Sequence, residues 1–164
     1  MFEQDVDLLH GYVERFRAYQ KKYYPHITEE NDNGEWEISA DCWDEMNTAY
    51  LNIVETYGAE SLTEGLLDDM LYVIARDNEC SHLLVKTLDY PDWFEVLCRH
   101  SINADYYNAK WQFAEQLGNY EGKREIKELL FYFIESGEEY VERMALKSLL
   151  AFKSLRRMPV SLIV

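Results

Sequence analysis

The chain has 164 residues, enough for one domain or a short array of stacked helices. Its 48% hydrophobic content can build a continuous core and excludes wholesale disorder, while three prolines and seven glycines are too few for the turns of an all-β fold. A formal net charge of −15, from 31 acidic and 16 basic side chains, repels nucleic-acid phosphates and anionic lipid and attracts basic partners, although solubility alone also accounts for it.

The first predicted helix covers about 5–23, where Val6, Leu9, Val13, Phe16, Tyr19 and Tyr23 recur at helical spacing and Pro25 stops the run. An acidic loop follows, with a turn at Asn33-Gly34. A second helix begins after Ser39 as N-cap and runs to about Tyr57, burying Trp43, Met46, Tyr50, Ile53 and Val54. Gly58 is placed to terminate it. Ser61 and Glu64 read as a capping box for a third helix carrying Leu66, Leu67, Met70, Leu71 and Ile74.

Asp77-Asn78 caps a short helix with Leu83, Leu84 and Leu88. Pro91 suits the first turn of the next, which carries Trp93, Phe94, Val96 and Leu97. Asn103 or Asp105 opens a helix through Trp111, Phe113, Ala114 and Leu117, closed by Gly118. Another holds Ile126, Leu129, Leu130, Phe133 and Ile134, closed by Gly137. The last, over 138–156, turns Val141, Ala145, Leu146, Leu149, Leu150 and Phe152 inward and ends before Pro159. The apolar tail 160–164 should pack rather than dangle.

Cys42, Cys80 and Cys98 are odd in number and widely spaced, which implies no disulfide framework and a reducing compartment. The first residues lack the basic start and apolar run of a signal peptide, and no stretch is long and apolar enough for a membrane span. The expectation is a cytoplasmic protein.

From Ser61 onward, short helices alternate with tight connections, so neighbours should lie antiparallel. The segment from Ala109 matches that from Ala145 in pattern, 36 residues on, after the similar lead-ins Asp105-Tyr106-Tyr107 and Glu139-Tyr140-Val141. With the helices NAKWQFAEQLGNY, REIKELLFYFIES and EEYVERMALKSLLAF, this half resembles divergent HEAT-type repeats. The resemblance implies an all-α fold of antiparallel helix pairs stacked as a short α-solenoid, in a single domain. Residues 1–60 would supply N-terminal helices and the acidic loop, and 61–158 the HEAT-like pairs. In type rather than motif, the chain is also similar to small acidic bacterial immunity proteins, including those of contact-dependent growth inhibition. That likeness implies a stoichiometric inhibitor of a basic toxin, often a nuclease.

Chemistry-bearing motifs are few. Cys80-x-His82 and Cys98-x-His100 have zinc-type ligands, but helical residues two apart point about 200° away from each other. They read better as two partly buried cysteines and two surface histidines, with no metal and no cofactor expected. His10, His26, His82 and His100 have no evident nucleophile partner, and Asp68-Asp69 and Glu138-Glu139 read as helix surface. The loop from Glu29 to Glu35 lacks the order of a calcium loop and reads as solvated.

What remains are three acidic–aromatic clusters at helix ends and connections, and a fourth, purely polar, at Asp77-Asn78-Glu79. The candidate partner-binding residues are Asp77, Glu79, Asp89, Tyr90, Asp92, Trp93, Asp105, Tyr106, Tyr107, Tyr120 and Glu121. Carboxylates there can pair with lysine or arginine, and rings can stack on them. They serve equally as caps and staples of helix termini. The leading expectation is therefore not an enzyme but an immunity-type protein that occludes a basic nuclease toxin without touching nucleic acid or membrane. A helical-repeat scaffold for an endogenous protein and an enzyme with an unrecognised site are the alternatives.

Overall fold

The computed structural model describes residues 1–28, 31–32, 34, 36–60 and 62–156. Among them every regular element is helical, as expected. Ser61, Pro159 and the apolar tail 160–164 lie outside the described residues, as do Glu29, Glu30, Asn33 and Glu35 of the acidic loop.

Helix α1, Phe2–Tyr23, buries Leu9, Val13 and Phe16, and places Glu3 and Asp5 in its first turn and Lys21 and Lys22 in its last, matching the helix dipole. It starts earlier than the expected 5–23 because Phe2 packs edge-on against Tyr57, with centroids 4.9 Å apart. A 3-10 turn, Glu37–Ser39, precedes α2, Trp43–Thr56. Ser39 does not cap α2: its hydroxyl donates to the Trp36 carbonyl at 2.6 Å, inside the 3-10 turn. Nor does Gly58 end it. The chain leaves through extended Tyr57, whose carbonyl accepts the Trp93 indole N–H at 2.7 Å and whose hydroxyl donates to Asp5.

Helix α3, Glu64–Arg76, is buried continuously from Asp69 to Arg76, as befits a central helix. Its cap is Thr63, whose hydroxyl oxygen accepts the Leu66 N–H at 3.2 Å, so the helix begins in a different register from the expected Ser61–Glu64 box. Helix α4, His82–Thr87, has Ser81 rather than Asp77 or Asn78 at its N-cap position, but the Asp77 carboxylate still serves its first turn by accepting the Leu83 N–H at 2.7 Å. Helix α5, Pro91–Ser101, opens on its proline.

Helix α6, Tyr107–Gln116, begins without a side-chain cap from Asn103 or Asp105. The expected helix through Ile126 and Ile134 is instead two, α7 (Arg124–Lys127) and α8 (Leu130–Ile134). Between them the Leu129 N–H donates to the Ile126 carbonyl and the Tyr132 N–H to the Leu129 carbonyl. Across these tighter 3-10-type turns Ile126, Leu129, Leu130 and Phe133 all stay on the buried side. Gly137, at φ +80°, makes the left-handed turn into α9, Glu139–Arg156.

Helices α3 and α6 pack together at the centre. Helices α1 and α2 cover α3, α5 touches both central helices, and α9 lies along α6 and α8. A β carbon on Gly118 would lie 2.9 Å from Ser148 Oγ, so glycine there permits the close approach of α9. Helix α9 buries Val141, Met144, Ala145 and Ser148, whereas Leu146 and Leu150 are 47% and 63% exposed. That corrects the expected inward face: α9 lies against α6 and α8 on one side only. One core runs from Leu9 to Ala145. No described helix is long and apolar enough to cross a membrane.

Candidate functional site

The acidic loop is not wholly solvated. Asp32 Oδ2 lies 2.8 Å from Arg76 Nη1, with neither side chain exposed, and Glu37 Oε1 lies 3.4 Å from Arg76 Nε. The Tyr72 ring centroid is 5.2 Å from the same guanidinium. Burying these charges is costly, and mutual pairing offsets the cost. The effect is to fasten the loop over the C-terminal end of α3. Asp32 Oδ1 also accepts the Gly34 N–H at 2.8 Å and the Trp36 indole N–H at 3.1 Å. Gly34 is left-handed at φ +77° and rests against Asn78 and Glu79.

Asp32 stands in one wall of a groove of about 320 Å³, lined among the described residues by Asp32, Asn78, Glu79, Tyr107, Asn108, Trp111 and Tyr140. Four separated stretches meet there: the loop, the turn after α3, the start of α6 and the start of α9. Trp111 and Tyr140 stand at 82° with centroids 5.4 Å apart, giving the groove a corner of two rings. Asn108 is 4% exposed. Its Oδ1 accepts the Trp111 indole N–H at 3.0 Å, which fixes the amide orientation, and its Nδ2 has no hydrogen-bond partner among the described residues. Glu79 is exposed and forms no ion pair among the described residues. Burial, followed by the negative charge of Glu138, pushes the Tyr107 phenol above its ordinary range.

Of the sequence-predicted residues, the structure brings Glu79 and Tyr107 together here. Asp105 and Tyr106 line a different hollow of about 330 Å³ with Glu64, Asp68, His100, Asn103 and Ala104. There the Tyr106 hydroxyl donates to Asp68 and accepts from Arg17 Nη2, both at 2.9 Å. Asp89 pairs with Lys86 at 3.2 Å, and the Tyr90 ring lies 6.0 Å from the same ammonium. Asp92 and Glu121 are exposed and line neither hollow.

Three of the candidates face the interior instead of a partner. Asp77 is consumed at the first turn of α4. Trp93 is 2% exposed and bonded to Tyr57. Tyr120 is 3% exposed, stacked on Phe94, and donates to Glu95 at 2.5 Å. Each lies at a helix end where a packing partner from another helix claims it. Two further surface readings are corrected in part. Asp69 is buried and accepts from the His10 ring at 2.7 Å, and Asp68 pairs with Arg17 at 3.1 Å.

Asn108, Trp111 and Tyr140 were not among the candidates. Tyr140 carried a signal, in the match between its lead-in and that of Tyr107. Cys98 is buried, and desolvation pushes its thiol up, while Cys80 is exposed. Among the described residues no group of three metal-ligating side chains converges. No family model, curated protein or solved structure matches the chain.

Proposed function

We propose that this chain is an acidic binding protein that neutralises a basic protein by covering its working surface, and that it is not an enzyme. The observation that carries the reading is the groove in which Glu79 and Tyr107 meet Trp111 and Tyr140. Ring faces and an unpaired carboxylate at a surface hollow suit a cationic anchor from a partner. The net charge of −15 adds long-range steering toward basic surfaces. A bacterial nuclease toxin domain presents such a surface, because its own lysines and arginines hold nucleic acid. The immunity-type role, a cytoplasmic setting and a HEAT-like stacking of α6, α8 and α9 belong to this proposal.

The test is co-purification from the native host with identification of the bound protein, followed by reconstitution. The expected result is a one-to-one complex whose association slows about ten-fold between roughly 50 and 500 mM salt, with loss of the partner's activity. An acidic partner, or association indifferent to salt, would sink the reading. A second reading, a scaffold for an endogenous protein, draws on Phe131 and Tyr132, which α8 leaves exposed as a separate apolar surface. A bound partner harmless to cells that lack this chain would select it.

A further inference from the structure

We propose that the groove between the Asp32 loop and the start of α9 is an arginine socket, which takes one guanidinium side chain of the partner protein. The proposal rests on the binding reading above and names the group that is recognised.

The chain already builds one such site for itself. Arg76 sits against the Tyr72 ring and is paired with two carboxylates, Asp32 and Glu37. The groove repeats those ingredients immediately beside it. Among the described residues its lining holds three rings, two carboxylates and two amides, and neither lysine nor arginine. Asp32 is shared by both sites and is already engaged with Arg76. Glu79 is the carboxylate left for a visitor.

The ring geometry favours arginine over lysine. A guanidinium is flat, weakly hydrated and forked, so one face can stack on a ring while its edge donates to a carboxylate. Trp111 and Tyr140, nearly perpendicular, offer a face and an edge at one corner. Inside the chain, rings already take guanidinium groups, Arg17 at 4.6 Å from Tyr72 and Arg143 at 4.8 Å from Tyr140. Arg143 already occupies a face of Tyr140, so within the groove the Trp111 ring is the one offered to a visiting guanidinium.

Asn108 supplies an independent sign of a missing ligand. It is buried at 4% exposure, lines the groove, and has an amide N–H₂ with no acceptor among the described residues. Such a donor needs a carbonyl. A guanidinium cannot provide one, whereas the peptide group of an arginine-bearing segment can. That argues for a protein segment rather than a free small cation.

The test is a titration of the full chain with three blocked tripeptides, Gly-Arg-Gly, Gly-Lys-Gly and Gly-citrulline-Gly. Binding is read by NMR from the indole N–H of Trp111. The arginine peptide is expected to shift that signal saturably. Lysine should bind at least about three-fold more weakly, and neutral citrulline at least about ten-fold more weakly. Glu79→Gln lies on an exposed side chain and should leave the fold intact while weakening the arginine peptide about five-fold or more. Trp111→Leu should abolish the effect, with Tyr140 signals as the alternative readout.

Equal binding of arginine and citrulline, or no saturable shift up to about 50 mM, overturns the socket. The binding reading fails separately. If a basic partner is recovered whose affinity Glu79→Gln and Trp111→Leu both leave unchanged, the socket is wrong and the reading survives. If the peptides behave as expected and the co-purified partner proves acidic, the reading fails and the socket stands.

Discussion

Arg76 and Asp32 form an ion pair of 2.8 Å whose side chains are completely shielded from solvent, and it joins the central helix α3 to a loop that reads as solvated in sequence. The pair has two consequences. It positions the wall of the groove, and it makes stability depend on charges that no solvent can compensate.

Arg76→Met should therefore destabilise the protein by about 3–5 kcal/mol, because it strands the carboxylates of Asp32 and Glu37 in the interior. The triple variant Arg76→Met, Asp32→Asn, Glu37→Gln should recover much of that loss, since neutral groups cost less to bury. Urea unfolding of the set measures both quantities. A single variant no less stable than the parent would mean that the ions are not buried as described.

Gly34→Ala probes the same wall through the backbone. At φ +77° an L side chain is strained, and a β carbon there would lie 2.5 Å from Asn78 Oδ1. The expected cost is about 1–3 kcal/mol in urea unfolding, and partner affinity should weaken as Asn78 and Glu79 shift. Gly11→Ala is the control. It has open space and ordinary helical geometry, and should be neutral or stabilising by about 0.5–1 kcal/mol.

Much of the helical layout is legible in the sequence, because period and punctuation act locally. The stripe of α1, the proline that opens α5 and the glycine before α9 each report on a few neighbouring residues. The break between α7 and α8 is not legible, because one apolar stripe serves a continuous helix and two tightened pieces equally well. The site was half legible. Acidic–aromatic clustering marks Tyr107 and a purely polar helix end marks Glu79, but the first signal also marks Trp93 and Tyr120, which α5 and its neighbours draw inward. Asp32 carries no local mark, since its partner Arg76 lies on another element. Only tertiary packing distinguishes a solvated acid from one held in a core.

The face of α9 is the clearest case of an apolar stripe wider than the buried one. Leu146→Gln should change stability by less than about 0.5 kcal/mol, since the side chain is already half in solvent. Val141→Ala, fully buried on the same helix, should cost about 1–2.5 kcal/mol by lost burial and an unfilled cavity. Thermal melts of the two variants check the orientation. Comparable losses at both positions would mean that α9 is covered on the Leu146 side as well.

The pair formed by His10 and Asp69 sets the pH dependence. The hydrogen bond to Asp69, reinforced by its charge, holds the His10 imidazole above its ordinary value of 6.5. A raised histidine pKa means that the folded state binds the proton more tightly than the unfolded one. Its contribution is fully present below the unfolded value near 6.5 and is lost as pH rises through the folded value. Asp69 acts in the same direction at lower pH. Burial pushes its carboxyl up, outweighing the opposite pull of His10, so the folded state also releases this proton late. Stability should decline as pH rises from about 6 to 8, modestly, because the imidazole is largely exposed. In Asp69→Asn, the His10 resonance should titrate closer to its ordinary value and the decline in melting temperature across that interval should flatten. An unchanged His10 titration in Asp69→Asn would assign the shift to another charge, with Glu14 on the same helix the next contributor that raises it.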